Sequence, residues 1–484
     1  MISYIALLPC AVAAVAVLIL RLSVPIASIL AFATAIAIWG FDVFIPATIE
    51  QLTRAAIDAI ILELLVGFVI FSGIVFVEGT NRAGSQRGLI RAIETLNLAP
   101  PKTVILISVG IGVMMESLTG YGVSMFVTVP LLLQAVSRRR AIFFALIGMS
   151  LMSWGALSIT ALLGAELAGL EPQVLATELL FTSGPVAAVL PLFCLAFLRN
   201  VTINDLGFAL SAGLVLVSGI TASTYLIGIE MAGVGGGLAV IAFSVLFSDS
   251  RQSFAKTINA PEVRPYGLLI IAVVLQKLLI QKMSAVGIMP VIETGRVSFY
   301  VLQSPGIALF LVAIYCTFTS QTKKRFVHGY FILQDATKRS WPALASIFAF
   351  LIAARLLVEI GGIKALALTA SNYGLYSAAA ATATLGAIGS YVTGSGTAST
   401  ALFMMGAAAI GENLNATSLF ASIQISAGAH VGVASLPIIA ILLAALPNEE
   451  VNDKRTAVRF GLTLGTIWLL LVITSGAIQI AIKH

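Results

Sequence analysis

The sequence predicts an all-α polytopic membrane protein with about 12 transmembrane helices and two re-entrant hairpins in an inverted repeat. Composition is the first ground. Hydrophobic residues make up 59% of the chain and charged residues 10%, against about 25% charged in a soluble protein. The second is a repeated break: Thr119-Gly120-x-Gly122 and Thr393-Gly394-x-Gly396 recur at a constant offset of 274 positions, each inside an apolar run. Glycine in a helix interior costs about 1 kcal/mol relative to alanine, so both stretches interrupt a helix. The third is charge placement. The segment 103–136 is 34 residues long, with Arg82, Arg87, Arg91 and Lys102 before it and Arg138-Arg-Arg140 after it. One crossing takes about 17–25 residues and short cytoplasmic loops are basic, so the segment enters and leaves on one side.

The remaining elements follow in order. Apolar runs predict helices at 4–20 and 24–39, then an external segment at 42–56. Arg21 follows the first run, whereas a secretory signal carries its charge before the apolar core, so the run is expected to stay as a helix with its N-terminus outside. A helix at 57–78 returns inside and the hairpin 103–136 follows, its tip at 117–124. Helices are expected at 141–165, 180–198, 206–227, 231–248, 266–281 and 300–319, with an external loop at 283–299. Arg251, Lys256, Arg264 and Lys323-Lys-Arg325 then fall inside.

The second half has the same order upside down: a helix at 342–359, a hairpin at 378–410 entering from outside with its tip at 393–400, and helices at 417–446 and 460–481. The long 417–446 run invites an interruption near Gly428 and His430, and the C-terminus is expected outside. The chain thus divides into N-terminal scaffold helices (1–56), a first repeat (57–198), connecting helices (199–341) and a second repeat (342–484). Irregular backbone at membrane depth survives only where protein buries it or it lines a wet cavity. Two such breaks in opposed repeats point to a midplane transport site between the tips.

Other classes find no support. The net charge of +6 lies mainly in short loops, where it sets topology rather than binding nucleic acid. Cys10, Cys194 and Cys316 sit in apolar runs without paired spacing, so neither a disulfide nor a metal site is expected. Gly233-Val-Gly-Gly-Gly237 follows no strand and reads as helix packing, not a nucleotide loop. No nucleophile–base set appears in the apolar segments, which argues against a membrane enzyme, and no cofactor is expected.

The polar residues inside apolar segments are the functional candidates, because burying an ionisable group costs several kcal/mol. Glu116, among methionines and leucines, is the candidate proton carrier; the plainer reading is a carboxylate bonded to the hairpin's own amides. Arg355 offers a planar fork for a carboxylate, or a pair with Glu359 four residues on. His430 titrates near neutrality and is the second coupling candidate, or a packed hydrogen-bonded histidine. Asp58, Glu63, Glu78 and Glu230 lie near segment ends and read as interfacial. The hydroxyls of Thr119, Ser124, Thr393, Ser395, Thr397, Ser399 and Thr400 can hold a hydroxy acid or satisfy freed backbone. Gly120, Gly122, Gly394 and Gly396, with Tyr121, complete the tips.

At these residues the chain resembles the lactate permease family. Glu116-Ser-Leu-Thr-Gly-Tyr-Gly122 is similar to its Glu-Gly-x-x-Gly-Phe-Gly motif, and Thr393-Gly-Ser-Gly-Thr-Ala-Ser-Thr-Ala-Leu-Phe403 to its Thr-Gly-Ser-Asp-Thr-Ser-Ser-Asn-Ala-Leu-Phe. Gly155-Ala-Leu-Ser-Ile159 resembles Gly-Ala-Leu-Gly-Ile, and Arg355 matches an arginine ahead of the second hairpin. The chain departs from the pattern at Gly396 (Asp in the family), Thr400 (Asn), Ser117 (Gly), and Val123-Ser124 (Thr-Pro). The resemblance implies a multi-pass cell-membrane symporter of lactate, glycolate and related 2-hydroxymonocarboxylates with protons. It also implies a scaffold and a moving domain, often as a homodimer. The departures keep sodium open as the coupling ion and a dicarboxylate as substrate. A passive anion channel is the alternative of another class; it has no need of inverted hairpins.

Overall fold

The computed structural model of the chain describes all residues except 1, 83, 121, 286–288, 295, 320–324, 449, 451 and 484, and within helices it leaves the side chains at 86, 281, 284, 285, 318, 319 and 325–328 undescribed. Among the described residues the protein is helical, apart from a ribbon in which Val291–Glu293 pairs antiparallel with Ser298–Tyr300. Five single helices are long and apolar enough to cross a membrane, and three bent pairs bring this to eight. Ile2–Leu18, Val24–Gly40, Ile229–Val245 and Gly306–Thr317 are shorter apolar helices.

Two long helices, Ile49–Arg82 and Arg325–Glu359, pack side by side. Ion pairs at both ends, Asp58 with Arg355 and Glu78 with Arg339, show that they run antiparallel. Both exceed their expected bounds. The external segment at 42–56 is, from Ile49 onward, the start of the first. The expected helix at 342–359 begins at Arg325, with Pro342 in its interior; the Ser346 hydroxyl donates to the Pro342 carbonyl at 2.7 Å.

The first hairpin is Pro100–Thr119 and Met125–Ala135. Its second arm returns along Leu106–Gly112, and Gln134 donates to Glu94 at 2.9 Å, so both arms end on the same side. Pro100 and Pro101 start it where a missing N–H costs nothing. The second hairpin is Leu375–Thr393 and Gly396–Asn413.

Each hairpin is followed by a broken helix. The first joins Arg138–Gly148 to Met152–Ala168 at a bend of 51°, the second Thr417–Ala434 to Leu436–Ala445 at 48°. The second break lies at Gly432–Ser435, just beyond the expected position at Gly428 and His430, because Pro437 restarts the helix there.

The two ends are chemically distinct. Arg138 is bonded to Asp453, Pro447 and Asn448, and Ser248 to the Leu96 carbonyl, which gathers the basic loops at one end. Tyr4 meets Tyr373, and Lys483 meets Glu178, at the opposite end, so both termini lie away from the basic clusters.

Candidate functional site

The two hairpin tips are built alike. The Thr119 hydroxyl donates to the Met115 carbonyl at 2.7 Å and the Thr393 hydroxyl to the Gly389 carbonyl at 2.8 Å. The amide of Gly120 reaches the Glu116 carbonyl and that of Gly394 the Ser390 carbonyl, at 2.7 and 2.8 Å. Both glycines have left-handed φ, +68° and +72°, where a side chain is strained. Each is also pressed on the broken helix of its own repeat: a Cβ on Gly120 would lie 2.6 Å from the Ala156 Cβ, and one on Gly394 2.6 Å from Pro437. Two residues on, Gly122 faces Ile441 of the second broken helix, and Gly396 lies between Ala429 of the second and Thr160 of the first.

Glu116 is buried and turned into its own tip. It accepts from the Ser124 hydroxyl at 2.9 Å and from the Gly122 amide at 3.3 Å. Tyr121 lies outside the described residues. At the second tip Ser395 caps the returning helix, its hydroxyl accepting from the Ala398 amide at 3.2 Å. Thr397 bonds Thr160 at 2.8 Å, the Ser399 hydroxyl donates to the Gly386 carbonyl at 2.7 Å, and Thr400 faces Gln424 at 3.4 Å. Thr119, Thr393, Thr397, Ser399 and Thr400 are therefore engaged within the protein, while the Ser395 hydroxyl only accepts and keeps its proton to donate. His430 is fully buried, one ring nitrogen against the Ser150 carbonyl and the other 2.9 Å from the Ser183 hydroxyl. It bridges the two broken helices close to both breaks.

The alternative pairing of Arg355 with Glu359 does not form. Arg355 pairs across to Asp58 at 3.3 Å, and Glu359 binds Arg296. The acidic groups expected at the interface are buried too. Asp58 is 1% exposed and also accepts from the Thr294 hydroxyl at 2.5 Å; Glu78 and Glu230 pair with Arg339 and Lys277. Short helical spacing suggested a local partner for Arg355; the antiparallel neighbour supplies a closer one.

A cavity of about 530 Å³ extends from Arg339 to the second tip. Thr393, Gly394 and Ser395 line it, with Val123 and Phe126 from the first hairpin and Pro437, Ile438 and Ile441 from the second broken helix. The long helices add Ile74, Val77, Arg339 and Ser346. Of the candidate residues, Thr393, Gly394 and Ser395 line the cavity; Arg355, Glu116 and His430 do not. A second cavity of about 550 Å³ at the opposite end is lined by Glu166, Glu230 and the Ser298–Pro305 region, and no tip residue reaches it. Of these two cavities, only the first is lined by tip residues among the described residues.

Sequence reasoning missed Arg339 and Ser346. Pro342 read as a helix start, which left Arg339 in a connecting loop. The usable signal was a further apolar stretch, Tyr330-Phe-Ile-Leu333, upstream of the mostly polar residues 334–340.

A family model described as L-lactate permease matches residues 263–482. No curated protein matches the chain. The matched stretch contains the second long helix, the second hairpin and the second broken helix, hence both arginines and every polar residue of the tip that lines the cavity. The first hairpin lies outside it and is tied to it by the repeated geometry. Over residues 263–482 the chain is similar to the L-lactate permease family, a family of transporters.

Proposed function

We propose that the protein is a secondary active transporter of small monocarboxylates of the lactate and glycolate class, coupled to protons. The observation that carries this reading is the cavity of about 530 Å³ that joins Thr393, Gly394 and Ser395 of the second tip to Val123 of the first hairpin and to Arg339. Thr393 and Ser395 line it, the Ser395 hydroxyl keeps a proton to donate to a 2-hydroxy acid, and the helix beginning at Gly396 starts beside them. A helix N-terminus favours an anion through its free amides and its dipole. By the positive-inside rule the basic end is cytoplasmic, the termini are outside, and the cavity faces inward in the cell membrane.

In this reading the two long helices form the scaffold, and the hairpins with their broken helices move against them. Glu116 carries the proton. As a carboxylate it receives the Gly122 amide and the Ser124 hydroxyl. A proton turns one oxygen into a donor and weakens that grip, so protonation alters the tip that faces the other repeat. Glu116→Gln mimics the protonated form. It is expected to exchange substrate across the membrane but to lose accumulation driven by a pH gradient. Uphill proton-driven uptake by this variant would pass the role to His430.

Uptake of labelled lactate, glycolate and dicarboxylates into proteoliposomes, with proton and sodium gradients imposed separately, tests the whole reading. A pH gradient alone is expected to drive uphill uptake of the 2-hydroxymonocarboxylates. Accumulation on sodium alone would make the protein a sodium symporter; flux that never runs uphill would make it a channel.

A further inference from the structure

Arg339 is the one cationic residue lining the inward cavity, among the described residues. It shares that lining with Thr393, Ser395 and Ser346; the other lining groups are apolar or glycine. Its side chain is 61% exposed, against 12% for Arg355 at the far end of the same helix. Arg355 is taken up by Asp58, away from the cavity.

The partner of Arg339 is Glu78 on the neighbouring long helix, with Nη1 2.5 Å from Oε1. The contact is an ion pair without hydrogen-bond alignment, and that carboxylate oxygen has no other partner. One turn further along each helix, Arg82 pairs with Asp335 at 2.6 Å. Two arginines and two carboxylates therefore face each other as a neutral set of four beside the cavity. A monocarboxylate entering this apolar space needs a compensating cation or strong donors. Guanidinium holds a carboxylate through two parallel hydrogen bonds, which Glu78 does not make. Glu78, once displaced, has Arg82 four residues on along its own helix, within side-chain reach.

We propose that Arg339 is the carboxylate-binding residue of the cytoplasmic mouth, and that Glu78 occupies it in the empty protein as an internal competitor. This rests on the reading of the protein as a carboxylate transporter. The Ser395 hydroxyl then receives the rest of the substrate deeper in the cavity.

The test is the half-saturation concentration for lactate at each face, measured as efflux and influx in vesicles of known protein orientation. Arg339→Ala is expected to raise the cytoplasmic-face value about tenfold or more, as loss of a charge-assisted hydrogen bond implies. Arg339→Lys, which keeps the charge but loses the fork, should fall between. Glu78→Gln should move the other way and lower the cytoplasmic-face value about threefold, an effect general damage to the fold does not produce. An unchanged cytoplasmic-face value in Arg339→Ala, or a raised one in Glu78→Gln, overturns the proposal. Should Arg339→Ala fail to insert, the opposed shifts of Arg339→Lys and Glu78→Gln decide alone. Wild-type vesicles that move no carboxylate overturn the functional reading and this proposal together; wild-type flux with an indifferent Arg339 overturns the proposal only.

Discussion

Gly120 and Gly394 show how much one residue decides here. Each combines left-handed φ with a neighbour 2.6 Å from where a Cβ would stand, so no side chain fits without moving the tip against a broken helix. Gly120→Val and Gly394→Val are each expected to insert yet lose uptake. Gly406→Ala, at a site with nothing within 4 Å, should transport normally. Uptake at the wild-type rate by both valine variants would remove the tips from the transport site. Asp58 and Arg355 pose a different single-residue question, since removing one partner strands a charge. Arg355→Ala leaves Asp58 buried with only the Thr294 hydroxyl, a loss of about 3–5 kcal/mol when a buried pair is broken from one side. Asp58→Asn with Arg355→Ala should recover much of it. Thermal unfolding in detergent compares the three proteins, and no recovery in the double variant would argue that Arg355 acts beyond this pair.

Among elements, the link between the first broken helix and the last long helix can be read through pH. Arg138, before the first, reaches Asp453, at the start of Asp453–Lys483, at 2.6 Å, and caps the carbonyls of Pro447 and Asn448. Its hydrogen bonds hold the Asp453 carboxyl below its ordinary range. Because the folded value is depressed, the stabilisation is in place above the ordinary aspartate value of about 3.9 and is lost as pH falls through the lower folded value. Asp453→Asn should therefore unfold at a lower temperature than wild type at pH 7, and the gap should narrow as the pH falls below about 4. A gap that stays constant over that range would show that the carboxylate charge is not what joins these elements.

At the scale of the molecule, sidedness is the property that tests the inverted repeat expected from the sequence. Both arms of the first hairpin end beside Glu94 and Gln134 at the basic end; the second hairpin enters beside Tyr373, which meets Tyr4 at the other. Single cysteines at the exposed positions Asn97 and Ser137 are expected to label from the cytoplasm only, and one at Asn413 from outside only. Labelling of Asn97 and Ser137 from opposite faces would turn the first hairpin into a crossing and break the repeat. The cavity at the second tip belongs to the same scale, since its lining comes from both hairpins, the second broken helix and the two long helices.

Much of this architecture was legible in the residue order. Composition established a membrane protein, because few charges can be buried in lipid. Glycines at equal offsets located both tips, because helices break where a backbone needs positive φ. Basic clusters separated the two ends and revealed the first hairpin. Partners were not legible. Spacing along one helix pointed Arg355 at Glu359, whereas the antiparallel neighbour gives it Asp58 and gives Glu359 to Arg296. Asp58 and Glu78 read as interfacial from their places near segment ends, and only the opposing arginines make their burial tolerable. The hydroxyls of the tips looked equivalent in sequence; packing turned Thr397, Ser399 and Thr400 into the protein and left Thr393 and Ser395 on the cavity. Arg339 was invisible for a local reason, a proline that looked like a helix boundary and is an interior residue. Local backbone chemistry and lipid solubility are written residue by residue. Which charge meets which, and which hydroxyl faces empty space, is settled only when helices far apart in sequence are brought together.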